Sequence, residues 1–283
     1  MDNVAGSPER QRRSALADRF EAQLRWESPR TTRKRGTRTT GPAHLVREAI
    51  HFVDEPLRQQ LTVLNNLASG CFVIGGALFI AGAMMAELTS LPARQCVLAF
   101  LAGGVFFTTG GWATFLQAVN APGEEKVSRT GGNRAWRWWS YEPQSIDWLG
   151  TFLLFAGTCV FGVSLVEALY VRPAACVTDH FVWTPGLIGC LFFLLSGHLG
   201  LVEVCRGKIT FRPHDLSWWI VVVNQAGSIL FTVASIATYT RLATDSQLST
   251  SLGNWTTALG AACFCLGGAL QAFERPFKPT STR

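Results

Sequence analysis

Apolar residues run along this chain in long blocks separated by short polar stretches. Nineteen-residue windows predict six spans: Val63–Ala86, Cys96–Val119, Trp148–Tyr170, Trp183–Cys205, Trp218–Thr240 and Asn254–Phe273. Each has about 20 residues, enough for a helix to cross about 30 Å of hydrocarbon. Backbone amides cannot go unpaired in lipid, so helices rather than strands are expected. The fold class is therefore an all-α membrane protein with six transmembrane helices.

Inside the blocks, small residues recur in register. In the fourth span Gly189, Phe193, Ser196, Gly197, Gly200 and Glu203 stand at 0, +4, +7, +8, +11 and +14. Gly103, Phe107, Gly110, Gly111, Thr114 and Gln117 repeat that spacing in the second span, and Gly260, Phe264, Gly267, Gly268, Gln271 and Glu274 in the sixth. On a helix these positions share a sector about 120° wide. The odd spans keep the four-residue step in Gly75/Phe79, Gly157/Phe161 and Gly227/Phe231. Two lead-in segments match as well, Tyr141-x-Pro143-x-x-Ile146-x-Trp148 and Phe211-x-Pro213-x-x-Leu216-x-Trp218. The pattern predicts three copies of a helical hairpin, 61–120, 146–206 and 216–275, all inserted in the same direction. Gly103, Phe107, Gly111, Gly189, Phe193, Gly197, Gly260, Phe264 and Gly268 are the expected helix-packing face, because small residues let helices approach closely in lipid. A pore or pocket lining is the alternative for the same face.

Charge orients the spans. Of 25 Lys and Arg, 12 precede the first span, and most of the others fall before spans three and five or after span six. The remaining loops carry Arg94, Arg172 and Arg241. This alternation predicts both termini in the cytoplasm. The net charge of +6 then reflects topology and attraction to anionic lipids. Nucleic acid is not an expected partner, since no folded reading module surrounds the charges.

Residues 1–60 are expected to form a basic cytoplasmic arm, largely disordered over Pro29–Pro42, with an interfacial helix over Ala43–Gln60. The polar start predicts no signal peptide, and 276–283 a short cytoplasmic tail. The arm suits anionic headgroups, with a protein partner or phosphorylation control as the alternative. The expected location is multi-pass in the plasma membrane, and a homo-oligomer is left open.

The paired G-x-x-x-F hairpins, the stretches WTPGLIGCLFF and NQAGSILF, and the Trp-led lead-ins resemble the YrhK-like family of small two-helix membrane domains. They are also similar to larger multi-span proteins of bacteria and fungi that carry several such hairpins. The resemblance covers about residues 60–275. It implies a fold, and no activity, cofactor or catalytic residue.

Candidate chemistry is sparse. No HExxH, Walker A or GxSxG motif occurs, so no catalytic, metal or cofactor residue is expected, nor an enzymatic function. Cys71, Cys159, Cys190, Cys263 and Cys265 lie inside spans, where cysteine acts as a small apolar residue. Glu203 and Glu274 sit at span ends beside Arg206 and Arg275, as an interfacial pairing would place them. Three intramembrane polar residues stand out. Glu167, one turn from the outer end of span three, can snorkel to water. His198 and Asn224 share a depth on neighbouring spans, which suits either a hydrogen bond between them or a protonatable His198 contacting a ligand. The function expected is structural or interaction-based. The alternative is a small-molecule or ion permease with a cavity between hairpin repeats, and a polar cavity near the midplane distinguishes it.

Overall fold

The computed structural model describes residues 55–121, 136–170, 179–205, 210–241 and 246–274. Six long helices dominate: α1 (Glu55–Leu88), α2 (Ala93–Asn120), α3 (Ile146–Glu167), α4 (Thr184–Val204), α5 (Leu216–Ala237) and α6 (Thr250–Ala272). A π-helical turn, Asp179–Trp183, leads into α4. Between α5 and α6, β1 (Thr240–Arg241) pairs antiparallel with β2 (Ser246–Gln247). The expected arm up to residue 54, the tail and much of the 121–147 loop lie outside the described residues.

Helices α1 to α5 are long and apolar enough to cross a membrane. With 34 residues, α1 is about 50 Å long and exceeds the hydrocarbon thickness. Its first residues continue the expected interfacial segment directly into the span. The 23-residue α6 has the length but is less apolar than the pattern suggested, being diluted by Asn254, Thr256, Thr257, Gln271 and its glycines. Much of that polarity is turned inward. Thr256 and Gln271 are buried, whereas Leu252, Trp255, Leu259, Leu266 and Phe273 are exposed.

Each helix packs on its neighbours in sequence, and α6 closes the ring on α1. Adjacent helices run antiparallel. Along α1 and α6, for example, Asn65 meets Gln271, Ser69 meets Gly268, and Glu87 meets Ser251 and Asn254 at the far end. The two matching lead-ins fold alike. Trp148 donates its indole N–H to Ser140 O at 2.9 Å, and Trp218 donates to Thr210 O at 3.0 Å. Tyr141 and Phe211 stand edge-on to those indoles at 5.6 and 5.1 Å. Ser145 and Asp215 then cap α3 and α5 by accepting from first-turn amides. The Pro-containing segments thus enter their helices with the same geometry.

Candidate functional site

The first site feature is a filled core. In every hairpin the glycine of one helix seats the phenylalanine of the other. A methyl added to Gly75 would meet Phe107, and one on Gly103 would meet Phe79. Gly157 and Gly189 exchange Phe193 and Phe161 in the same way, and Gly227 and Gly260 exchange Phe264 and Phe231. The contacts would be 2.5 to 3.1 Å, tighter than nearly all real Cβ contacts, so the neighbours would have to shift. With no side chain in the way, each ring lies against the opposing backbone and reaches the bundle axis. Phe79, Phe161 and Phe231 close a triangle with centroids 5.8 to 6.2 Å apart. Phe264 lies against Phe107 and Phe193 in a second layer. Positions 0 and +4 are therefore places where paired helices approach closely.

Further along the register the tasks divide. The +7 residues stay within their own hairpins: Gly110 faces Phe72, Gly267 faces Asn224, and Ser196 donates to Gly150 O at 2.7 Å. The +8 glycines face the next hairpin. Gly111 meets Phe155 and Thr158, Gly197 meets Gln225, and Gly268 meets Phe72 and Ser69 O. The 120° sector spans two neighbours, and its two edges serve different ones.

Between the phenylalanine core and the end that carries Glu55 and Glu274, the bundle does not fill. A cavity there leaves about 70 Å³ of free space for water-sized molecules, within about 700 Å³ between atoms that includes open solvent. All six helices line it. Phe72, Leu154, Phe193 and Phe264 form its deep end, and Thr114, Thr151, Ser196, Asn224 and Ser228 its walls. Asp147, Glu203 and Gln271 lie toward the mouth, where their helices begin or end.

Two carboxylates lie there because of how the hairpins differ. In the third hairpin Ser217, one residue before Trp218, donates its hydroxyl to Glu274 Oε1 at 2.5 Å. The same two positions of the second hairpin hold Asp147, one residue before Trp148, and Glu203. In the first hairpin Gln117 at +14 donates to Leu61 O at 2.7 Å. A hydroxyl–carboxylate bond in one hairpin becomes a pair of acidic residues in another. Among the described residues no cluster of three or more metal-ligating side chains occurs.

The polar residues singled out in the sequence separate. His198 is exposed on α4 and does not line the cavity, and no hydrogen bond joins it to Asn224. Asn224 instead turns onto Gly267 and the cavity wall. Equal depth placed both residues at one level but did not fix the faces they present. Glu167 is half-buried at the last residue of α3, close to water if α3 spans the membrane. Glu203, assigned from sequence to an interface pair, proves to be 8% exposed and part of the lining. Its place at +14 was the available signal. Asp147, Thr151 and Ser228 carried no comparable signal, because only the assembled bundle turns them to a shared space. Comparison with protein families, with characterised proteins and with solved structures finds no match to this chain.

Proposed function

We propose that the chain is a six-span membrane protein of permease type whose central cavity receives a small solute from the cytoplasmic side. The observation that carries this reading is one cavity lined by all six helices, with hydroxyl, amide and carboxylate side chains set into a mostly apolar lining. The phenylalanine core closes the opposite side. The apolar outer face of α6 supports counting it as the sixth span. The reciprocal Gly–Phe seats, repeated in each hairpin, support three hairpin repeats and the likeness to YrhK-like proteins. The alternation of Lys and Arg supports cytoplasmic termini.

A purely structural role is the second reading, favoured by the density of the Phe core. Cysteine accessibility separates the two. In a chain stripped of its eight native cysteines, Ser246→Cys should react with an impermeant thiol reagent from outside only. Ser196→Cys, on the cavity wall, should react from the cytoplasmic side only. A Ser196→Cys that stays unreactive from both sides would leave a packed structural bundle. Ser246→Cys labelled from the cytoplasm would invert the topology.

A further inference from the structure

The hydrogen-bonding state of the cavity wall points to a ligand class. Thr114 donates its hydroxyl proton to Gly110 O at 2.9 Å, and Ser228 donates to Asn224 O at 3.0 Å. Thr151 donates to Asp147 O at 2.9 Å, and Ser196 to Gly150 O at 2.7 Å. All four lining hydroxyls have thus committed their only proton to backbone, and what they keep is oxygen lone pairs. Gln271 commits an amide proton in the same way, to Asn65 Oδ1 at 3.2 Å. Asp147 and Glu203 add carboxylate oxygens nearer the mouth. The wall is therefore rich in acceptors, with the Asn224 amide as its main donor. A ligand bound against the four hydroxyls must bring the protons.

The deep end adds a second constraint. Phe193 and Phe264 close the cavity there beside Leu154, and aromatic faces attract a cation as well as an apolar body. We infer that the cavity takes a small organic ammonium compound, a primary amine carrying an apolar group. The charged nitrogen would donate to the hydroxyl and carboxylate oxygens while the apolar part meets the phenylalanines. Anions are disfavoured by the acceptors, and a neutral alcohol offers one proton where an ammonium offers three. This inference rests on the pocket reading above and names what fills the pocket.

The test is equilibrium binding to the full chain in phosphatidylcholine nanodiscs, using phenethylamine, phenethyl alcohol and 3-phenylpropionate as probes. Phenethylamine should bind at least tenfold more tightly than either of the others at neutral pH. Asp147→Asn and Glu203→Gln should each weaken it about tenfold, and Ser228→Ala about threefold. Adding phosphatidylethanolamine identifies the source of the natural ligand: loss of probe binding marks a lipid headgroup, retention a soluble amine. Either result keeps ammonium recognition. Equal or tighter binding of the alcohol or the carboxylate would overturn the ligand class and leave the pocket standing. If none of the three binds, the inference falls. The pocket reading falls with it only where Ser196→Cys is also unreactive. The probe comparison uses the unsubstituted protein, so a variant that misfolds does not rescue or sink it.

Discussion

The α2–α3 and α4–α5 seams occupy equivalent places in the ring and are built in opposite ways. At α2–α3, Trp112 and Phe115 interleave with Trp148, Phe152 and Phe155, with centroids 5.0 to 6.2 Å apart. The matching register positions at α4–α5 are His198 and Leu201 on one side and Trp218, Val222 and Gln225 on the other. Large rings fill one seam to the surface. Only Trp218 keeps a large ring at the other, which flanks the cavity, and smaller or polar residues take the remaining positions. The difference teaches that the shared glycine register fixes how closely helices approach, while the residues between the glycines decide whether the space left over is filled.

The largest test of this contrast is Phe115→Ala. Its ring is fully buried among aromatic neighbours, so the cost should reach about 3–5 kcal/mol in a detergent unfolding titration. Leu201→Ala, its counterpart, should cost clearly less because Leu201 is only half-buried. Equal losses would mean the two seams are equally packed.

Next in size are the +8 glycines. A methyl on Gly111 would stand 3.3 Å from the Phe155 Cα, and one on Gly268 would stand 3.1 Å from Ser69 O, both backbone that cannot swing away. Gly111→Leu and Gly268→Leu should each lower stability by about 1–3 kcal/mol. Gly197 faces the amide end of Gln225, which can rotate, so Gly197→Ala should cost less than Gly111→Ala in the same assay. The sequence alone would rank these three glycines together, and a flat series would restore that ranking.

The α6–α1 seam is held by polar bonds instead of rings. Ser69→Ala removes the 2.6 Å bond to Gly268 O and should cost about 0.6 kcal/mol, typical of hydrogen bonds between membrane helices. The smallest effect belongs to His198→Leu. With His198 exposed, melting temperature should move by no more than a degree or two, corresponding to about 0.5 kcal/mol or less. A marked loss would return His198 to a buried polar role.

Much of the fold was legible because bilayer physics writes it into single residues. Apolar block length gave the helices, and the Gly and Phe spacing gave the contacts inside each hairpin, since both depend on neighbours along one helix. The lead-ins were legible for the same reason: Pro143, Pro213 and their tryptophans act over eight residues. The candidate site was only half legible. Glu203 stood in the register yet looked like an interface pair, and His198 looked central yet faces outward.

By itself, then, the chain determined six long helices and which residues let paired helices touch. Those are local quantities of length, hydropathy and periodicity. Only the tertiary structure decided that α6 closes on α1, that the +7 and +8 residues serve different neighbours, and that acceptors from all six helices converge on one unfilled space. A cavity is the volume that packing leaves behind, and it depends on the relative rotation of helices distant in sequence. No periodicity within a single helix encodes that rotation.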